Sequence, residues 1–206
     1  MSLRNKTINT TVAEGAEYLA RCLTADDLRA GKSALDATVN GDMRTVCPLL
    51  APGCADLIIA DPPYNLTRSY DGTAFRRRGA AEYEAYTRAW LAAVEPLLSP
   101  RGSIYVCCDW QSSLVIGRVL GEMFTVRSRI TWQREKGRGA KRNWKNSMED
   151  VWFATRGAQY TFNLDAVRQR RRVIAPYRDG GQPKDWVESA DGGYRDTCPS
   201  NFWDDI

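Results

Sequence analysis

Residues 61 to 65 read Asp-Pro-Pro-Tyr-Asn and close the apolar run Asp56-Leu57-Ile58-Ile59-Ala60. Consecutive prolines fix φ at about −65°. The carboxylate before them and the aromatic ring after them are therefore held rigidly, the kind of preorganisation that stabilises developing charge. The carboxyl end of a buried strand is also where open α/β sheets place their chemistry. A second group of candidates is cationic. Between Arg127 and Arg178 lie 14 Lys or Arg against 4 Asp or Glu, whereas the rest of the chain carries 15 against 21. Such segregation is the electrostatic footprint of a polyanion-binding surface, or else of a solvated basic face. Five aromatics interleaved in that stretch, Trp132, Trp144, Trp152, Tyr160 and Tyr177, favour nucleic acid, because bases stack on aromatic rings.

Other chemistries are set aside by composition. The chain has no histidine, which removes the hydrolase mechanisms that use imidazole as their base. Its six cysteines (Cys22, Cys47, Cys54, Cys107, Cys108, Cys198) form no Cys-x-x-Cys pair, so the tight spacing of a zinc site is missing and no metal is expected. Cys107 and Cys108 read as small core residues of a reducing compartment. No apolar run approaches the ~20 residues of a membrane span. The opening Met1-Ser2-Leu3-Arg4-Asn5-Lys6 is too polar for a secretory signal. The location expected is cytoplasmic, with no membrane partner.

The elements that must position these residues follow from periodicity and turn signals. Two helical patterns, through Val12–Leu23 and after Thr24, form an extension over residues 1–34. Leu35–Asn40 reads as a strand, Met43–Leu50 as a short helix, and residues 56–60 as a strand entered from Pro52-Gly53. Residues 65–80, with Arg76-Arg77-Arg78, read as a flexible basic loop. Helical spacing from Ala81 ends by Ser99-Pro100; Ser103–Cys108 is a buried strand, Ser112–Phe124 a helix, and Val126–Trp132 a strand. Val151–Thr155 and Gln159–Phe162 predict a hairpin across Arg156-Gly157. This alternation is that of an open α/β sheet finishing in antiparallel strands, with a core over 35–162. Residues 163–206 have no clear periodicity.

The Asp61–Asn65 motif resembles the catalytic motif of S-adenosylmethionine-dependent amino-methyltransferases, which methylate exocyclic amines of adenine or cytosine, and most of all the β-class DNA enzymes. The resemblance covers nearly all of residues 35–206. It implies a Rossmann-like sheet with helices on both faces, S-adenosylmethionine as cofactor and double-stranded DNA as partner. Asp61, Pro62, Pro63 and Tyr64 would be catalytic. The Asp61 carboxylate and the Pro62 carbonyl would accept from the amine hydrogens and aim its lone pair at the methyl group. Tyr64 would stack on the base, which has to be extruded from the duplex. Asp rather than Ser at the first motif position favours adenine N6 over cytosine N4.

Asn40-Gly41-Asp42 resembles the family segment in which an acidic residue approaches the cofactor adenine, so Asp42 and Met43 join Asp61 on the cofactor side; alternatively Asp42 caps a helix. Asn65 completes the motif on the substrate side. Asp109 lines the target pocket or is a plain turn aspartate. The segment containing Lys136, Arg138, Lys141 and Arg142 resembles a basic glycine-rich loop of the family, followed by Asn-x-His-Glu. Here that element is Asn146-Ser147-Met148-Glu149, with Met148 in place of the histidine. Glu149 is carried over with it. Residues 163–206 would recognise the target, with Arg168, Arg170, Arg171 and Arg172 on phosphates or guanine edges.

The family's glycine-rich cofactor turn, Phe-x-Gly-x-Gly, is absent from these 206 residues. The expected sheet is accordingly incomplete, with an unpaired edge and an exposed apolar face, and inactive or weakly stable without a homodimer mate or a second chain supplying the cofactor half. A non-catalytic DNA-binding subunit and an RNA base methyltransferase are the alternatives.

Overall fold

The computed structural model describes residues 10–70, 73–134, 141–173 and 177–204. Ahead of the sheet lie two helices, α1 (Val12–Arg21) and α2 (Ala25–Arg29), which Thr11 and Thr24 open as capping boxes with Glu14 and Asp27. Each box satisfies two otherwise orphaned amide donors. The strand expected over Leu35–Asn40 does not form. Val39 makes one isolated parallel bridge to Leu23, and Asp36 enters the left-handed region at φ 52°. That conformation interrupts an extended backbone, and Leu35 remains 81% exposed. Helix α3 (Met43–Val46) continues into a 3-10 turn at 47–49 that contains Pro48.

Strand β1 (Ala55–Ala60) then delivers the Asp61–Asn65 turn. Part of the segment expected to be an unstructured loop is a short antiparallel hairpin, β2 (Arg68–Tyr70) with β3 (Thr73–Phe75). Next come α4 (Ala80–Val94), β4 (Leu98–Cys108), α5 (Trp110–Met123), β5 (Thr125–Gln133) and β6 (Met148–Thr155). The remaining strands are β7 (Gln169–Arg172), β8 (Arg178–Asp179), β9 (Gln182–Pro183), β10 (Tyr194–Thr197) and β11 (Phe202–Trp203).

The main sheet runs β1-β4-β6-β5-β11. β1 lies parallel to β4, and β6 is antiparallel to both β4 and β5. β4 starts five residues ahead of the expected Ser103. Leu98 faces Ala55 and Ser103 faces Leu57, so residues 99–102 bulge out between them. A bulge is where a strand tolerates a proline such as Pro100, which has no N–H to donate. The hairpin expected from Val151–Thr155 and Gln159–Phe162 is replaced by something else. β6 sits in the middle of the sheet with both edges already paired, and Tyr160 and Phe162 lay their rings on Phe153, each with centroids 5.8 Å away. Residues 163–206 hold more structure than their lack of periodicity suggested. β7 pairs with β10, β8 with β9, and β11 returns to lie parallel to β5.

Alternation along the strands divides the core. Ile104, Val106, Cys108 and Ala154 face Trp90, Leu91, Ile116, Val119 and Leu120 of α4 and α5. Tyr105, Cys107, Val151 and Phe153 point the other way, into an aromatic layer with Tyr160 and Trp203. Among the described residues, the helices that pack on the sheet thus lie on one face and aromatics cover the other. The outer edge of β1 receives no strand among the described residues; Leu57 and Ile59 are 55% and 70% exposed there. No described helix is long and apolar enough to cross a membrane.

Candidate active site

The strand ends converge at one rim. β1 and β4 are parallel, so Asp61 and Asp109 follow their carboxyl ends, and the pairing of Cys108 with Asp150 brings the start of β6, with Glu149, to the same rim. Asp61 is exposed, while Tyr64 is partly buried. The Tyr64 hydroxyl points at Glu149 Oε2, 3.4 Å away, and Glu149 is in turn ion-paired with Arg134. Arg134 lies over the Trp132 ring at 5.2 Å. Burial first, then the carboxylates of Glu149 and Asp61, push the Tyr64 phenol well above its ordinary pKa. It stays protonated, as a donor with an aromatic face. Cys107 lies in the same field, its thiol raised by burial and by Asp61 and Glu149.

Asn65 is where the turn is fastened. Its amide N–H donates to Ser112 Oγ at 3.1 Å, and Ser112 N–H donates to Asp109 Oδ1 at 2.9 Å. Asp109 is buried and caps α5. The Asn65 side chain then pairs both ways with the backbone of Arg78: Nδ2 donates to the Arg78 carbonyl at 2.9 Å, and Oδ1 accepts from its N–H at 2.7 Å. The turn is therefore tied to the helix behind it and to the arginine segment in front. Sequence reasoning named Asn65 and Asp109 without these partners. An Asp-x-x-Ser ahead of an apolar helix is a readable capping signal, but the separation of 47 positions from Asn65 to Ser112 is not bridged by any local pattern.

The other expected site residues differ in their surroundings. Asp42 caps α3 and pairs with Arg44, whose hydrogen bonds lower the Asp42 carboxyl pKa; Met43 packs against the core. Several arginines of the basic stretch have internal partners: Arg127 lies on the Tyr160 ring, Arg129 pairs with Asp150, Arg168 with Asp165, and Arg170 with Asp196. Arg171 bonds Gln169, and Arg172 is exposed on β7. Of the five aromatics, Trp152 and Tyr160 belong to the packed core, Trp132 lies beneath Arg134, and Trp144 and Tyr177 are 92% and 76% exposed. Lys141 and Arg142 are exposed, next to Trp144. Lys136 and Arg138 lie outside the described residues.

The site is thus a strand-end turn bearing a carboxylate, two prolines and a partly buried tyrosine. The sequence profile of the DNA methylase family, the N6/N4 methyltransferases, matches residues 55–176. The chain belongs to that family. M.HpaI, a type II methyltransferase of Haemophilus parainfluenzae, is 30% identical over 152 residues, 72% of this chain and 44% of that protein. YhdJ, a DNA adenine methyltransferase of Escherichia coli K12, is 27% identical over 177 residues, 81% of this chain and 56% of that one. The chain spans about half the length of these relatives. In fold it is similar to the cytosine-N4-specific PvuII DNA methyltransferase, at 18% identity and a TM-score of 0.52, covering 64% of this chain and 52% of that one. The family uses S-adenosylmethionine. Asp61 stands exposed beyond β1, open to a reacting molecule; the sequence holds no Phe-x-Gly-x-Gly turn.

Proposed function

We propose that this chain is the catalytic and target-recognition portion of a site-specific DNA methyltransferase acting on adenine N6 in duplex DNA. The observation that carries the reading is the rigid Asp61–Asn65 turn, anchored on both sides at the rim where Tyr64 meets Glu149. An exocyclic amine is a weak nucleophile because its lone pair is delocalised into the ring. The Asp61 carboxylate and Pro62 carbonyl accept its two hydrogens and turn the lone pair outward, and Asp61 takes the proton released after transfer. Most of the gain is orientation. Tyr64 stacks on the extruded base, which offsets part of the few kcal/mol of extrusion. When bound, S-adenosylmethionine would supply the electrophilic methyl group; Asp61 and Pro62 would lie at its reacting end, and Asp42 and Met43 would hold its adenine. Residues 163–206, with Lys141, Arg142, Arg171 and Arg172, engage the DNA. The name of YhdJ and the Asp at the first motif position support adenine over cytosine.

The open edge of β1, with Leu57 and Ile59 exposed, supports a second reading alongside this one. A further segment, in a longer form of the chain, a second copy or another polypeptide, completes the sheet before methyl transfer occurs. The test is label transfer from tritiated S-adenosylmethionine to unmethylated genomic DNA. Label that vanishes with Asp61→Ala while DNA binding persists, with N6-methyladenine on base analysis, is the expected result. N4-methylcytosine would move the amine, and undiminished label in Asp61→Ala would overturn the assignment. No label from the unaltered chain would favour the second reading.

A further inference from the structure

A cavity of about 560 Å³ adjoins the Asp61–Asn65 turn on the α4 side, lined among others by Pro63, Tyr64, Arg76, Arg77, Arg78 and Tyr86. Three features make it a built site. Its cationic wall is fixed through the backbone: Arg77 N–H donates to Thr67 Oγ1 at 3.2 Å, and Asn65 holds both polar groups of Arg78. Its charges are available, because the Arg76 and Arg77 guanidiniums have no ion-pair partner among the described residues. Arg78 pairs with Glu82 at 3.4 Å and lies over the Tyr86 ring at 4.3 Å. Finally, the aromatic walls include Tyr64 itself, so an anion held at Arg76 and Arg77 shares one cavity with a ring able to stack on a base.

We propose that this cavity binds the phosphodiester flanking the extruded nucleotide, with Arg76 and Arg77 as its ligands and Asn65 as the residue that positions them. The inference rests on the DNA reading above and names a contact that reading lacks. Guanidinium and phosphate match in a bidentate geometry, and phosphate contacts fix register rather than sequence. Two exposed cations side by side suit a polyanion that remains partly solvated. The competing anion of the same reaction is the carboxylate of the methyl donor, a single charge.

The test compares the unaltered chain with Arg76→Gln/Arg77→Gln and Arg76→Lys/Arg77→Lys, each shown to melt as the parent does. The probes are a fluorescein-labelled duplex carrying one bulged adenine, its fully paired counterpart, and S-adenosylhomocysteine. The parent is expected to prefer the bulged duplex, because extrusion is already complete there. The Gln pair loses that preference, and its affinity falls less steeply with salt by about one unit of log–log slope, the release expected for one phosphate. The Lys pair keeps most of both. An unchanged slope and preference in the Gln pair, with duplex binding intact, overturns this inference alone. Loss of S-adenosylhomocysteine binding with the slope unchanged assigns the cavity to the donor carboxylate and likewise overturns it. Failure of the parent to bind either duplex overturns the DNA reading together with the inference.

Discussion

Replacing Asn65 separates what fastens the turn from what the turn does. Asn65→Ala removes two hydrogen bonds to the Arg78 backbone, of 2.9 and 2.7 Å, and leaves the main-chain bond to Ser112 in place. A neutral hydrogen bond contributes about 0.5–1.5 kcal/mol net, so the pair holds the arginine segment by about 2 kcal/mol. At 1.4 kcal/mol per factor of ten, this is roughly a 30-fold fall in the protection of the Arg78 amide from hydrogen exchange. Asn65→Asp is the informative partner. It keeps an acceptor for the Arg78 N–H but turns a carboxylate toward the Arg78 carbonyl in place of a donor. Exchange at that amide should therefore rise less than in Asn65→Ala, while DNA affinity falls in both as the loop loosens. Exchange resolved by mass spectrometry or NMR reads the effect directly, with amides of β4 as internal reference. Unchanged protection of Arg78 in Asn65→Ala would refute the idea that this side chain fixes the loop.

Three further outcomes are expected. A Cβ on Gly117 would lie 2.6 Å from Cη2 and 2.8 Å from Cε2 of Trp152, whose indole N–H is held by Ser113 Oγ at 2.9 Å. Overpacking of about 2 kcal/mol outweighs the ~1 kcal/mol gained by removing a helical glycine, so Gly117→Ala lowers Tm by roughly 2–4 °C. Gly121→Ala, whose added Cβ meets only Val126 at 3.9 Å, raises it; equal shifts in the two variants would contradict this packing. Glu84 joins α4 to α5 through Arg118 and pairs within α4 with Arg88, and their hydrogen bonds hold its carboxyl at about 2, below its ordinary 4.5. The stabilisation is complete above pH 4.5 and lost as pH falls toward 2, so Glu84→Gln should flatten the fall of Tm over that window and leave Tm at pH 7 lower; a parallel acid limb would exclude the pair. Tyr64→Phe keeps the stacking face and gives up only the 3.4 Å contact with Glu149. Capture of a bulged adenine should change little, against a roughly 5- to 150-fold loss in Tyr64→Ala, from ~1–3 kcal/mol of stacking; equal losses would shift the role to the hydroxyl.

Much of the site was legible because the motif and its strand are contiguous. Asp61 through Asn65 follow the apolar run of β1, and the periodicity of α4 and α5 located both helices to within a few residues. Long-range pairing was not legible. β6 reads as one strand of a hairpin because Gln159–Phe162 follows it closely, yet pairing with β4 and β5 decided its place and left Tyr160 and Phe162 as cover for Phe153. Leu35–Asn40 has the composition of a strand, but pairs with Leu23 only at Val39. The basic stretch misled in part for a similar reason. Charge counting cannot see that Arg129, Arg134, Arg168 and Arg170 answer carboxylates of the same chain, or that Arg76 and Arg77, outside the stretch, pair with none among the described residues.

The position of β1 also bears on the order in which the molecule assembles and comes apart. β5 and β6 are consecutive strands, and β4 zips onto β6 along six residue pairs. Among the described residues β1 is held by a ladder on one side only, as is β11 at the opposite edge. Fraying of this strand would carry Asp61 with it and uncover Ile58 and Ala60, which pack against the core on the helix side. In kinetic terms the reactive turn rides on an edge strand, and its lifetime in the competent geometry is set by the rate at which that strand opens.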